Sequence, residues 1–437
     1  MEVIIKDLGI NGEGVTRLQS GDNDNKVCFV DFSLPGETVD IEITSSKSKF
    51  CKGRLLKVID GSVDRVEPKC PYFTKCGGCD LQHLDYKKQV EFKKEKVSTA
   101  LRKCGSENFI TNTKYLNEYE YRNKMVFAVR EENGRQKIGM FESKSHKVIE
   151  IGKCLLTTER INNVFSICRD YLKTSTFHGY NEKTKKGDIK YLVIREYLDS
   201  ILVTIVTTKK FDFKPLFDIL SSTYKVGLSI VISNSDDEIL SGKYIQQYGI
   251  DALEINEYGI DYRVNNLGFL QVNNGMKKLM YDRVLECIDS SAEVIDAYSG
   301  AGLLSAIVSK KAKTVTGIEI NKSASMSAVD LANKNQINNI EFICDDVEKS
   351  LGGVLSKINN ATIILDPPRS GCSRVVVNKI VDAVDRVCKI IYISCNPATL
   401  GRDVEILSSA FNLEVIEPYD LFPQTKHIET LVVMKRK

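Results

Sequence analysis

The stretch Ile391-Tyr-Ile-Ser394-Cys395-Asn396-Pro397-Ala-Thr399-Leu400 lies near the carboxyl end of the 437-residue chain. Residues 389–393 are β-branched and aromatic, which predicts a buried strand, and Pro397 ends it. Cys395 therefore falls where strand gives way to loop. Most lone cysteines are small core hydrophobes, but ligands bind at the carboxyl ends of strands in open α/β sheets, which favours chemistry at this one.

Four more strand candidates precede this stretch and alternate with helical segments, at 293–297, 314–320, 340–343 and 361–365. Such alternation predicts a parallel, doubly wound sheet with right-handed crossovers. We therefore predict a Rossmann-like domain over residues 261–437, entered through a helix at 274–287. The whole chain is predicted to be a multidomain α/β protein.

Each predicted strand of this domain ends on polar or special residues, which would meet at one edge of the sheet. The turn Gly300-Ala-Gly302 after the first strand could serve a dinucleotide or S-adenosylmethionine, and by itself is a weak signal. The rigid sequence Asp366-Pro367-Pro368 after the fourth strand favours S-adenosylmethionine. Ordinary turn formation is the alternative for each residue taken singly, but several such ends in one domain indicate one site.

Residues 1–60 contain short strand-like runs separated by turn formers, which predicts a small β-barrel. The turn formers are Gly12, Gly14, Gly21, Asn23, Pro35 and Gly36. This segment carries 8 basic and 10 acidic residues, so its charge alone does not indicate nucleic-acid binding. A purely structural barrel and an RNA-contacting barrel of the oligonucleotide-binding type both remain open.

Residues 61–260 are predicted to form a central α/β domain that binds RNA. Between residues 65 and 150 there are 18 basic and 12 acidic residues, and the run from Tyr86 to Lys96 predicts an amphipathic helix with a lysine-rich outer face. Such a face is usually only solvated. Arg122, Lys124 and Arg130 follow together with several tyrosines, which makes contact with phosphate groups more plausible.

The same region contains Cys70, Cys76 and Cys79 in a Cys-x5-Cys-x2-Cys spacing. Three thiolates around one glycine-containing turn indicate a metal site that needs a fourth ligand. Zinc with His83 is one possibility. Cys154 as a distant fourth thiolate would instead give the all-cysteine set that a [4Fe–4S] cluster uses, and we prefer that interpretation to zinc.

Composition narrows the class of protein. No run approaches 18 apolar residues and the amino terminus, MEVIIKDLG, shows no secretory signal. Thirteen cysteines in such a chain suggest reduced thiols, a metal site or a nucleophile and not a disulfide framework. We expect a cytoplasmic protein with no membrane association and no evident obligate protein partner.

Several motifs together resemble the RNA uracil-5-methyltransferases over essentially the whole chain: FLQVN, DAYSGAG, GIEIN, DPPRSG, SCNPATLGRD and FPQTKHIETLVV. The resemblance implies an N-terminal barrel of the TRAM type, an iron–sulfur region and a catalytic domain that uses S-adenosylmethionine. It implies Cys395 as nucleophile and Glu429 as general base. It places the cofactor at Gln271, Tyr298, Glu319, Asp346 and Asp366, and the cluster at Cys70, Cys76, Cys79 and Cys154. Leu303 departs from the polar residue of some relatives, so that contact is not carried over.

The implied reaction is methylation of uridine at carbon 5 in RNA through a covalent bond between Cys395 and carbon 6. We expect 23S ribosomal RNA as the substrate, because the resembling enzymes with both barrel and cluster mostly act there. A transfer-RNA T-loop is the main alternative, and a non-catalytic RNA-binding or folding factor is another. His427 is expected to orient a neighbour and not to act as the base.

Overall fold

The computed structural model describes residues 1–18, 25–236 and 238–437. Two of the predicted turn formers, Gly21 and Asn23, lie outside the described residues. The N-terminal sheet has six strands in the order β1-β5-β6-β4-β3-β2. The strands β1 to β6 are Glu2–Ile4, Asp7–Leu8, Gly14–Arg17, Val27–Val30, Thr38–Ser46 and Phe50–Asp60.

This sheet closes into a barrel because its two edge strands are neighbours in sequence. Only Ile5 and Lys6 separate β1 from β2, so the two edges must meet. The Ile5 N–H donates to the Glu37 carbonyl at 2.9 Å, and the Lys6 N–H donates to the Val15 carbonyl at 2.8 Å. Closure leaves no long unpaired edge on this small sheet.

The predicted helix after the barrel is α1, Tyr86–Leu101, and Asp85 caps its N-terminus. The prediction of a solvated lysine face was wrong for Lys93, which is fully buried and forms an ion pair with Asp420 at 2.6 Å. Val97 and Leu101 lie in the apolar core of the C-terminal sheet. α1 therefore packs on the C-terminal domain, although it precedes the central sheet in sequence.

The central sheet has seven strands in the order β13-β12-β11-β10-β7-β8-β9, and only β11 and β12 run parallel. Helices α2, Glu159–Thr174, and α3, Lys214–Ser221, pack on it. The strands β7 to β13 are Lys124–Glu132, Arg135–Phe141, Val148–Glu150, Ile189–Tyr197, Ser200–Thr207, Lys225–Ile232 and Lys243–Gly249. Arg130, expected to contact phosphate, is instead buried and pairs with Glu182 at 2.8 Å.

A two-stranded hairpin, β14 (Leu253–Glu257) and β15 (Ile260–Val264), leads into the C-terminal domain and its first helix, α4 (Asn274–Cys287). The strands β16 to β22 are Glu293–Ala297, Thr314–Glu319, Ile340–Cys344, Ala361–Leu365, Val387–Ser394, Phe411–Tyr419 and Glu429–Arg436. The helices α5 to α9 are Leu303–Ser309, Lys322–Lys334, Val347–Leu355, Arg374–Asp382 and Pro397–Leu407.

The C-terminal sheet has the order β18-β17-β16-β19-β20-β22-β21. Its first five strands are parallel, as the sequence predicts, and β22 is inserted antiparallel between β20 and β21. Apolar clusters cover both faces. No helix in the described ranges has both the length and the apolar character needed to cross a membrane. The domain boundaries at residues 60 and 260 stay predictions.

Candidate active site and four-cysteine cavity

The turn after β16 brings backbone N–H groups and a carboxylate together. Gly300 and Gly302 both have positive φ, 56° and 79°. A Cβ on Gly302 would lie 2.6 Å from the Ala328 Cβ, so only glycine fits there. The Gly300 N–H donates to Glu319 Oε2 at 3.0 Å, which holds that carboxylate from β17 beside the turn.

Two further carboxyl groups lie at the ends of parallel strands. Asp296 in β16 is buried and accepts a hydrogen bond from the Ser305 hydroxyl, and burial raises its pKa to about 7. Desolvation likewise raises the pKa of Asp366, which follows β19, to about 7. Because solvent reaches the Asp366 side chain, we expect that rise in full only when a substrate fills the cleft.

Tyr298 and Asp346 line one open cavity of about 770 Å³, together with Pro368 and Arg374. Tyr298 adopts a left-handed φ of 71°, which turns the chain sharply after β16. Asp346 caps α7 by accepting a hydrogen bond from the Glu348 N–H at 2.9 Å. These two predicted cofactor residues thus share a cavity wide enough for a nucleoside.

Gln271 lies apart from that cavity, in the loop before α4. Its carbonyl accepts a hydrogen bond from Asn123 Nδ2 at 2.9 Å, and Asn123 also donates to Asn274 Oδ1 at 2.8 Å. The start of β7 thereby fixes the loop that carries Gln271. Of the five predicted cofactor residues, only Tyr298 and Asp346 are among the described residues that line this cavity. Glu319 lies at the glycine turn, Asp366 follows β19 and Gln271 lies in the loop before α4, so their part in cofactor binding stays a prediction.

Cys395 follows the last residue of β20 and is half-buried. Asn396 next to it caps α9 by accepting from the Ala398 N–H at 3.2 Å, and its Nδ2 donates to the Arg369 carbonyl at 2.9 Å. The backbone around the thiol is therefore fixed on both sides. Cys395 is not one of the apolar core residues, so the core interpretation of this cysteine is wrong.

Glu429 is the first residue of β22, and it is buried. Ser394 pairs with Thr430 in the antiparallel ladder of β20 and β22, so the next position outward sets Cys395 opposite Glu429. Burial, and after it the nearby Glu429, raises the pKa of the Cys395 thiol. Burial, with a smaller contribution from Asp366, raises the pKa of Glu429 to about 8.

Arg369 completes this group, and its role is not apparent from the sequence motifs alone. Its guanidinium hydrogen-bonds the Cys395 sulfur and its charge lowers the pKa of both Cys395 and Glu429, against their burial. The signal in the sequence was a cation directly after Asp366-Pro367-Pro368. His427 Nδ1 lies 3.1 Å from Arg369 Nη2, and burial lowers its pKa to about 4, so neutral His427 accepts from Arg369 and orients it.

The four predicted ligand cysteines line one small, mainly apolar cavity in the central region. Polar hydrogens point at their sulfurs: Gln82 Nε2 donates to Cys79 at 3.2 Å, the Gly78 N–H to Cys76, and the Leu156 and Thr157 N–H groups to Cys154. Among the described residues, no three His, Cys, Asp or Glu side chains are grouped closely enough to hold a metal ion as they stand. His83 is buried and stacks on Phe73, which lines the cavity, but His83 is not itself one of the lining residues.

Two protein-family models match this chain. The family model described as tRNA (uracil-5-)-methyltransferase matches residues 85–437, and the TRAM domain model matches residues 1–56. The chain belongs to the RNA uracil-5-methyltransferase family. It is accordingly a class I, S-adenosylmethionine-dependent RNA methyltransferase with an N-terminal TRAM domain.

Relatives in this family cover the full chain. An uncharacterised RNA methyltransferase of Clostridium acetobutylicum is 33% identical over 100% of this chain and 96% of its own length. One of Caldanaerobacter subterraneus is 34% identical over 100% of this chain and 98% of its own. The solved tRNA (uracil-54, C5)-methyltransferase of Pyrococcus abyssi, in complex with S-adenosyl-L-homocysteine, shares the fold with a TM-score of 0.79 and 24% identity over 99% of this chain and 100% of that one.

Proposed function

We propose that this RNA methyltransferase modifies carbon 5 of a uridine in 23S ribosomal RNA through a covalent bond between Cys395 and the base. The observation that carries the proposal is the position of Cys395 and Glu429 opposite each other at the end of the β20–β22 ladder, with Arg369 beside the thiol. A nucleophile, a base and an orienting cation thus converge at the carboxyl edge of the sheet.

The first step belongs to Cys395. Its thiolate adds to carbon 6 of the uracil, and the electrons of the carbon 5–carbon 6 double bond move into an enolate, which makes carbon 5 nucleophilic. Burial and Glu429 oppose the thiolate, and the Arg369 guanidinium favours it. Arg369 therefore sets the fraction of Cys395 that is ready to react.

The second task belongs to Glu429. S-adenosylmethionine, when bound, supplies the methyl group that carbon 5 accepts. Carbon 5 then carries both a methyl group and a proton, and the Glu429 carboxylate removes the proton. The carbon 5–carbon 6 double bond re-forms and Cys395 leaves as thiolate. A pKa of about 8 suits a base that must accept a proton near neutral pH.

The cofactor residues that we propose are Gln271, Tyr298, Glu319, Asp346 and Asp366. Support comes from the cavity that Tyr298 and Asp346 share and from the carboxylate of Glu319, which the Gly300 N–H holds at the glycine turn. A carboxylate at that position can accept hydrogen bonds from the hydroxyl groups of a ribose. Asp366 is close enough to Glu429 to help raise the pKa of that carboxyl group.

The mechanism is tested by two variants of the full-length enzyme with RNA and S-adenosylmethionine. Cys395→Ala should give neither 5-methyluridine nor an adduct, whereas Glu429→Gln should accumulate a covalent enzyme–RNA adduct on denaturing gels. Cys388→Ala, which removes a cysteine at the amino-terminal end of β20, far along the strand from Cys395, is the control and should retain wild-type product. An equal adduct from Cys395→Ala would exclude the mechanism.

A long groove supports RNA as the macromolecular substrate. It runs from the barrel to residues 70–81 and measures about 1250 Å³. These residues carry Cys70, Cys76 and Cys79, and we call them the four-cysteine segment because they line the four-cysteine cavity together with Cys154. Phe29 and Phe50 stack edge to face on its barrel side, and Lys52 and Arg54 lie beside them. Lys426, three residues before Glu429 in sequence, also lines this groove. Aromatic rings and cations in one groove suit single-stranded RNA, whose bases stack on them.

A transfer-RNA T-loop is the second candidate substrate, favoured by the fold that this chain shares with the Pyrococcus abyssi enzyme. Comparing 5-methyluridine positions in RNA from cells with and without this protein separates the outcomes. Loss from 23S RNA supports the proposal, and loss from transfer RNA supports the second candidate. No loss from either RNA would contradict both substrate proposals.

We further propose that Cys70, Cys76, Cys79 and Cys154 hold a [4Fe–4S] cluster. The support is an all-cysteine donor set around one apolar cavity and the N–H groups directed at Cys76, Cys79 and Cys154. Such hydrogen bonds to thiolates are typical of iron–sulfur sites. Anaerobically purified protein should contain about four irons per chain, and Cys154→Ala should lower that number while Cys344→Ala leaves it unchanged; zinc in place of iron would refute the cluster.

A further inference from the structure

The loop 420–428 joins β21 to Glu429 and is held mainly from outside its own sheet. Three of its carbonyls accept hydrogen bonds from the segment that contains α1 and the start of the central region. The pairs are the Phe422 carbonyl with Lys93 Nζ at 3.1 Å, the Pro423 carbonyl with the Tyr121 hydroxyl at 3.1 Å, and the Lys426 carbonyl with Lys96 Nζ at 2.9 Å.

A second set of hydrogen bonds connects the loop to the four-cysteine segment. The Gln424 carbonyl accepts from the N–H groups of Asp80 and Leu81, at 3.0 and 3.1 Å. Asp80 directly follows Cys79 in sequence. Asp80 also accepts from the Lys426 N–H at 3.2 Å. A displacement of the backbone after Cys79 would therefore also displace Gln424, through these hydrogen bonds.

Gln424 itself needs this support. Its φ is 68°, in the left-handed region that costs a non-glycine residue about 1 kcal/mol. Such a conformation persists when its surroundings fix it. Gln89 of α1 donates to Gln424 Oε1 at 3.0 Å and thereby adds a side-chain anchor to the two backbone bonds.

The other end of the loop reaches the reacting groups. His427 contacts Arg369, which hydrogen-bonds Cys395, and Glu429 begins β22 directly after the loop. A shift of the loop would reach the carboxyl group first, because Glu429 directly follows the loop as the first residue of β22 and pairs there with Tyr419. Cys395 lies between β20 and the Asn396 cap of α9, neither of which belongs to the loop. The loop is thus placed to affect proton removal more than the first covalent step.

We propose that the four-cysteine segment and α1 act as a positioning unit for the loop 420–428, and that they hold Glu429 where it can take the proton from carbon 5. This inference rests on the proposed role of Glu429 as base. A metal centre held by Cys70, Cys76, Cys79 and Cys154 would then have a task that needs no electron transfer. It would restrain the backbone from Cys79 to Leu81, and the Asp80 and Leu81 N–H groups of that backbone donate to the Gln424 carbonyl.

The test uses the full-length protein as purified, with the double variant Tyr121→Phe/Lys96→Met, which removes two bonds to the loop and leaves the cysteines intact. Hydrogen–deuterium exchange of residues 420–428 should become about tenfold faster, as expected when buried hydrogen bonds are lost. Exchange in β10 and β11 should not change. Tyr262→Phe, which removes a buried hydroxyl bonded to Glu257 at 2.8 Å, is the matched control and should leave the loop unchanged.

A second readout separates positioning from general weakening. In single-turnover reactions the double variant should form the covalent adduct at the wild-type rate and resolve it about tenfold more slowly, because only the base has moved. Unchanged loop exchange, or exchange that rises equally throughout the chain, would overturn the inference. So would a loss of adduct formation equal to the loss of resolution.

The substitution Gln82→Leu addresses the metal centre directly, because Gln82 bridges the Cys70 N–H and the Cys79 sulfur at 3.2 Å each. Gln82→Leu should also speed hydrogen–deuterium exchange in the loop 420–428. Unchanged exchange in that loop would contradict the proposed connection between the four-cysteine segment and Gln424. Exchange does not depend on catalysis. If Glu429→Gln traps no adduct but exchange in the loop still rises in the double variant, the proposed role of Glu429 as base fails and the support of the loop by α1 and the four-cysteine segment stands. If Glu429→Gln traps the adduct but exchange in the loop is unchanged in the double variant, the proposed function stands and the positioning inference fails.

Discussion

The guanidinium group of Arg369 hydrogen-bonds the Cys395 sulfur and lowers the pKa of the thiol, while burial raises it. We therefore predict that Arg369→Met slows adduct formation about tenfold at neutral pH, which corresponds to a rise of about one pKa unit. The rate of iodoacetamide alkylation at Cys395 as a function of pH measures this. The profile should move to higher pH, and Arg369→Lys should restore part of the shift.

Arg436→Met is the control for that experiment. Arg436 lies on the surface at the end of the same sheet, where it donates to the Asp385 carbonyl at 2.8 Å. Its loss should leave the alkylation profile of Cys395 unchanged. An identical shift in both variants would mean that Arg369 acts through the overall charge of the protein and not through its contact with the thiol.

The pKa of Glu429, raised to about 8, predicts the pH dependence of adduct resolution. Only the ionised carboxylate can accept the proton from carbon 5. Resolution should therefore quicken as pH rises and level off above about pH 8. Decay of the adduct after a single turnover, followed between pH 6 and pH 9.5 (a range of roughly two units around that pKa), measures it; a rate flat across this range would contradict Glu429 as base.

The same raised pKa predicts how stability changes with pH. Between the ordinary pKa of 4.5 and about 8, the folded protein binds more protons at Glu429 than the unfolded chain does. This contribution is complete below pH 4.5 and is lost as pH rises through about 8. Urea unfolding should therefore show wild-type protein losing stability relative to Glu429→Gln over that window. A constant difference between the two proteins would show that the carboxyl group is not buried in solution.

Gly302→Ala should weaken both folding and cofactor binding. The φ of 79° and a Cβ only 2.6 Å from Ala328 and 2.8 Å from Phe342 predict a loss of about 2 kcal/mol, from backbone strain and overlap together. Gly300→Ala is the matched control, because it has positive φ but no atom within 4 Å of the added carbon. Thermal unfolding and calorimetric titration with S-adenosylhomocysteine would show a smaller effect for Gly300→Ala; equal effects would argue against the overlap.

Lys93→Met should destabilise the protein by about 3 to 5 kcal/mol, because it leaves the Asp420 carboxylate buried without its cation. Adding Asp420→Asn to that variant should recover part of the loss. Urea unfolding of the single and double variants measures both. If the double variant were as unstable as the sum of the single ones, the two side chains would not interact in the folded protein.

The parallel sheet of the C-terminal domain could be predicted because its strands are short, apolar and β-branched, and because helices separate them. The predicted limits at 293–297 and 361–365 agree with β16 and β19. The edge of the sheet that carries the candidate site could be predicted from the same strands, because ligands bind at the carboxyl ends of parallel strands and the sequence shows where each strand ends. The predicted membership in the RNA uracil-5-methyltransferase family was confirmed by the family match over residues 85–437.

Other features depend on contacts that no local pattern contains. Lys93 looks like a solvated lysine until the fold brings Asp420 to it from 327 residues away. Arg130 looks like a phosphate ligand until β7 places it beside Glu182 and Tyr191. The role of Arg369 is not visible in the sequence because it depends on the distance from Arg369 to Cys395. That distance is set by the pairing of β19 with β20.

The close fit between α1 and α9 bears on how this protein can be divided for expression. A Cβ on Gly401 would lie 2.2 Å from the Ala100 carbonyl, so the two helices meet without room for a side chain. A fragment that began at residue 261 would expose to water the face of α9 that packs on α1. It would also lack Lys93, the cation that pairs with Asp420. A fragment that begins at residue 85, where the family match also begins, keeps both partners.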